Sequence, residues 1–151
     1  MASNYSERIG DAIGGAAFEF GGLVANELNI FLNQEDLVVS REMQDSIEHF
    51  TRRQGGDLEV LVGPTAEHAH YVHEGTEPHF PPPDSLIDWV DFRGFALDAG
   101  SLEDRAFLLA LHISREGTEP NPFLERFDDA KGREHARQFA EILNRRINIG
   151  N

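Results

Sequence analysis

The 151-residue chain has no cysteine, one lysine (Lys131) and one tryptophan (Trp89). Without cysteine, disulfides and thiolate metal sites are excluded. The longest uninterrupted apolar run is Ala106–Leu111, far short of the ~20 residues a membrane-spanning helix needs. The opening MASNYSERIGD lacks the basic patch and apolar run of a signal peptide. A soluble chain with no membrane partner is expected. Basic charge is also scarce, with 13 Lys and Arg against 27 Asp and Glu and a formal net charge of −14. No basic stripe exists to release counterions, so sequence-independent binding to nucleic-acid phosphates is disfavoured. Such an acid excess costs stability through self-repulsion. In molar salt the screening length falls to roughly 3 Å and most of that cost disappears. The composition therefore predicts a salt-loving source.

The length suits one domain with one hydrophobic core. It is read as a single domain over 1–151, with an N-terminal helical arm (1–36) and an α+β core (37–151). Residues 5–33 carry Ile9, Ile13, Ala16, Phe20, Leu23/Val24, Leu28 and Phe31 at helical spacing. Gly10, Gly14, Gly15, Gly21 and Gly22 interrupt that stripe, each costing about 1 kcal/mol relative to alanine. The glycines allow either close approach of a neighbouring helix or a bent, partly frayed arm. A short element over Leu37–Val39 follows. Gly55-Gly56 then joins two alternating segments, Ile47–Arg53 and Leu58–Val62, as a β-hairpin. Ser85, with Asp88 three residues on, predicts a capped helix over Leu86–Phe92, and Ser101 with Asp104 predicts a second. The second contains AFLLALHI, apolar almost all round, so it is expected in the core with His112 as a core histidine. Asn121 and Pro122 open the last helix, whose stripe is Phe123, Phe127, Ala130, Ala136, Phe139, Leu143 and Ile147. The expected fold class is α+β: a long N-terminal helix and a small antiparallel sheet with a β-hairpin, packed against C-terminal helices.

The pentapeptide EGTEP occurs twice, at Glu74–Pro78 and Glu116–Pro120. Its flanks do not repeat, since His73 corresponds to Arg115 and Phe80 to Pro122. This argues against an internal duplication. In each copy a regular element stops on glycine, an extended Thr-Glu-Pro follows, and a new helix starts soon after. Gly117 is expected to be a left-handed helix cap, and Gly75 to end its element similarly. The pentapeptide reads as one backbone problem solved twice, and its carboxylates need no chemical role.

Four motifs in order resemble the neck or tail-completion (minor tail) protein family of long-tailed phages and archaeal tailed viruses. The first is Ser40-Arg41-Glu42-Met43-Gln44-Asp45-Ser46-Ile47, with Arg41 where that family has glycine. The second is Tyr71, Val72, Gly75, Thr76, Pro78, His79, Pro81 and Pro82. The third is Leu86, Trp89 and Val90, and the fourth Gly117, Thr118, Pro120, Pro122, Phe123 and Leu124. The resemblance covers residues 40–124. It implies a non-enzymatic virion protein without cofactors, assembled in the host cytoplasm into a homo-oligomeric ring. The ring, expected to be a hexamer, would join the capsid connector to the tail tube and contact other neck proteins and the tail-tube protein. Viral DNA would pass through it without specific binding. Tyr71, Val72, Gly75, Thr76, Pro78, Pro81, Trp89, Gly117, Thr118, Pro120, Pro122 and Phe123 become the candidate interface or structural-motif residues. A tail terminator or a head-side stopper ring is the alternative within that class.

The alternative of another class is a small histidine-dependent metallohydrolase. HAHYVHEGTEPH offers His68, His70, His73 and His79 beside Glu67 and Glu74. On a strand, His68 and His70 would share a face and His73 would point away. No His-Glu-x-x-His motif is present, so surface or interface histidines are the expectation. No Gly-x-Ser-x-Gly elbow or phosphate-binding glycine loop occurs either. Neighbouring carboxylates such as Asp128-Asp129 carry no information in so acidic a chain.

Overall fold

The computed structural model describes residues 2–34 and 41–149. The element expected over 37–39, and Ser40 of the first motif, lie outside the described residues. In chain order the elements are α1 (Ala2–Gln34), α2 (Arg41–Asp45), β1 (Ile47–Gln54), β2 (Asp57–Pro64) and α3 (His68–Glu74). A 3-10 turn (Pro83–Leu86), α4 (Ile87–Arg93), α5 (Leu102–Glu116) and α6 (Phe123–Ile149) complete them. The class is α+β, as expected, with the two strands paired as one hairpin. Contacts gather the chain into two compact units. One holds α1 to Phe31, the hairpin, and α6 from Glu125; the other holds α2, α3, α4, α5 and the loops between Pro64 and Leu124.

In the first unit α1 and α6 run antiparallel. Glu27 meets His135, Phe20 meets Phe139 and Phe31 meets Phe127, so partners in α6 fall as positions in α1 rise. The glycine-interrupted segment is one continuous helix. A β-carbon on Gly15 would lie 2.5 Å from Arg146 Nη1, and one on Gly21 would lie 2.6 Å from His49 Nδ1. Gly15 therefore admits a side chain of the neighbouring helix α6, whereas Gly21 admits one of strand β1 and not of a helix, and Gly10 and Gly14 face open space. Gly55 and Gly56 both have positive φ (61° and 99°), as a two-residue hairpin turn of this kind requires. The inward face of α6 is only partly the expected stripe. Phe127 and Ile142 are buried, whereas Ala130, Ala136 and Ile147 are exposed. His135 and Gln138 occupy inward positions because Glu27 of α1 binds both. An apolar periodicity cannot register such polar positions.

In the second unit, α5 opens with the expected capping box. Ser101 Oγ accepts from Asp104 N at 3.2 Å, and Asp104 Oδ2 accepts from Ser101 N at 3.1 Å. Ala106, Leu109 and Ile113 pack with Val90 of α4, and Leu86, Ile87, Trp89, Phe95 and Leu102 close around them. Two expectations are corrected here. First, α5 is buried on one face only: Phe107, Leu108 and His112 are exposed, so His112 is not a core histidine. Second, Ser85 caps no helix. It lies inside the 3-10 turn that Pro83 opens and donates to Pro82 O at 2.7 Å, so α4 begins only at Ile87.

Candidate functional site

The two EGTEP copies bind each other. Thr76 N–H donates to Thr118 O at 3.0 Å, Thr118 N–H donates to Thr76 O at 3.0 Å, and the two hydroxyl oxygens lie 3.0 Å apart. The result is a single antiparallel bridge. Gly75 (φ 72°, ψ 179°) and Gly117 (φ 71°, ψ −156°) flank it with nearly equal dihedrals. Positive φ with extended ψ is open essentially to glycine alone. The left-handed cap expected at Gly117 is thus replaced by this rarer conformation, which turns the chain from helix into extended backbone. Close approach adds a second requirement. A β-carbon on Gly75 would stand 2.5 Å from Thr118 O, and one on Gly117 would collide with Thr76 O. Each copy needs glycine because the other copy's backbone fills the space.

Further bonds fix the surroundings of this clasp. Ile113 O accepts from Gly117 N at 2.9 Å and from His79 N at 3.4 Å. Asn121 N–H is shared between Val72 O and His73 O, both at 3.1 Å, satisfying carbonyls left free at the end of α3. The His73 ring meets the buried Phe123 ring edge-on at 5.3 Å. Gly75, Thr76, Gly117 and Thr118 are therefore joined directly, with Val72 and Phe123 beside them. Pro81 is buried, while Pro78, Pro120 and Pro122 are exposed. Tyr71 is half exposed, with its ring 5.7 Å from that of His70. Trp89 belongs to the α4–α5 core, 5.9 Å from Phe95.

The histidine-rich segment is helical, which changes the strand-based geometry assumed for it. His68 lies 3.9 Å from Glu42, His70 lies 3.5 Å from Glu74 one turn on, and His79 Nδ1 lies 2.9 Å from Glu77 O. Among the described residues, no three His, Asp or Glu side chains are placed to share a metal ion. Two carboxylates of the first unit are perturbed. Hydrogen bonding from Arg146, joined by Arg145, outweighs burial and holds Glu19 below the usual glutamate value. At Glu27 burial is the largest single influence and acts upward. Hydrogen bonds from Gln138 and His135, with the charges of His135 and Lys131, overcome it and leave the group lowered. Both acids are locked in structural pairs between α1 and α6, and neither is poised to exchange a proton near neutrality. No protein-family model, curated protein or solved structure matches the chain.

Proposed function

We propose that this chain is a structural subunit of the head–tail neck of a tailed virus of a halophilic archaeon. It forms a ring that joins the capsid connector to the tail tube. The observation that carries this reading is the clasp. Two of the four motifs that resemble those of neck and tail-completion proteins are hydrogen-bonded partners through Thr76 and Thr118, and a third supplies Trp89 and Val90 to the adjoining core. The motif residues thus do architectural work: they fix backbone at element ends and bury rings, while the carboxylates of both EGTEP copies are exposed. A scaffold of this kind suits a protein that acts by holding loops in fixed positions for subunit contacts. The excess of acid over base fits assembly in concentrated salt.

Negative-stain electron microscopy of the purified protein in multi-molar KCl tests the reading. Closed rings with an open centre are expected. Dispersed single subunits at every concentration would refute it.

A further inference from the structure

The outward face of α6 is basic, although the linear sequence shows no basic stripe. Arg126, Ala130, Arg133, Arg137, Ala140 and Asn144 follow at alternating steps of four and three, and all six are exposed. At 3.6 residues per turn that spacing is one helical face. The helix holds six of the chain's 13 basic residues against five acids. Residues 64–124 hold eleven acids against three arginines. On α4, Asp88 and Asp91 stand one turn apart and exposed, beside the partly exposed Phe92.

We infer that the outward face of α6 docks on the α4 surface of a second copy of this chain. Arg133 and Arg137 would meet Asp88 and Asp91, with Ala130 and Ala140 permitting close approach. The inference rests on the ring reading above and names its contact. Charge complementarity selects the occupant. Two α4 surfaces repel each other, as do two α6 faces, so the favoured contact joins unlike patches. Such a head-to-tail contact generates a ring when the rotation between neighbouring copies closes, and an open filament when it does not. Duplex DNA fits less well, because three arginines release few counterions and the chain's overall field opposes a polyanion. Salt has a definite effect. It screens both the repulsion between whole subunits and the attraction between the patches; with −14 on each copy the repulsion is the larger loss, and arginine–carboxylate hydrogen bonds persist at contact distance, so association strengthens as KCl rises.

The test uses two double variants of the full chain, R133E/R137E and D88R/D91R, weighed in 2 M KCl by analytical ultracentrifugation. Far-UV circular dichroism checks that each is folded. Arg137 pairs at 3.9 Å with Glu134 and with Glu141 on a side chain that is 69% exposed, so loss of these pairs costs little stability. Each variant alone is expected to self-associate about 100-fold more weakly than wild type. Their equimolar mixture is expected to regain assembly, since each reversed patch finds its complement. Wild-type assembly by R133E/R137E alone, or failure of the mixture to recover, overturns this contact and leaves the ring reading standing. A wild-type monomer in all salts removes both. Loss of duplex-DNA retention by R133E/R137E with unchanged assembly would reassign the face to nucleic acid and also overturn the inference.

Discussion

Thr76 and Thr118, 42 residues apart in sequence, exchange both backbone hydrogen bonds at 3.0 Å and place their hydroxyls 3.0 Å apart. A repeated pentapeptide whose copies are each other's partners has a physical reason to be written twice. Both strands of a single antiparallel bridge meet the same steric conditions, and glycine before threonine meets them on each side. The bridge ties the end of α3 to the end of α5.

The flanking glycines should be the sensitive positions. Gly117→Ala and Gly75→Ala each combine a strained φ with backbone overlap, and are expected to cost about 2 kcal/mol or more. Glu116→Gln and Glu119→Gln, both exposed, should stay within about 0.5 kcal/mol of wild type. Urea unfolding compares the four. Glycine variants as stable as wild type would show that the clasp does not hold the fold.

The threonine hydroxyls should be coupled. In a double-mutant cycle, Thr76→Val and Thr118→Val are each expected to cost about 0.5–1 kcal/mol, with the double variant costing less than their sum. Additive losses would mean that the hydroxyls act separately.

Much of this architecture was legible in the sequence. The long helix, the hairpin turn at Gly55-Gly56 and the Ser101–Asp104 capping box are local features, set by spacing and cap chemistry within a few residues. The mutual pairing of the EGTEP copies was not legible, because nothing local specifies that two turns 42 residues apart will meet. The inward polar positions of α6 escaped for a related reason: His135 and Gln138 are inside only because Glu27 receives them. His112 and Phe107 were misplaced because α5 is apolar on more faces than its unit covers, leaving composition unable to choose the buried one. The basic face of α6 became visible only once the helix brought Arg126, Arg133 and Arg137 onto one side.

Glu27 should give α1 and α6 an acid-sensitive link. Its carboxyl is lowered in the folded chain, so its contribution is complete above the ordinary value of 4.5 and is lost as pH falls through the lowered value. Glu27→Gln is expected to lose about 1–2 kcal/mol at neutral pH, where a charged hydrogen-bonded group is removed. The gap to wild type should narrow in acid. Thermal unfolding from pH 7 to pH 3 measures it, and a gap independent of pH would contradict this linkage.

Salt should stabilise the fold as well as the assembly. The midpoint of thermal unfolding is expected to climb steeply between low and multi-molar KCl, as screening relieves the repulsion of a −14 chain. A midpoint unchanged by KCl, followed by circular dichroism at fixed protein concentration, would remove the halophilic reading.

Assembly of the wild-type protein is read from its native mass. Mass photometry across a KCl series should show the 16.9 kDa chain giving way at high salt to one closed multiple of that mass, with six copies the expected number. A single 16.9 kDa species at every salt concentration would exclude a ring.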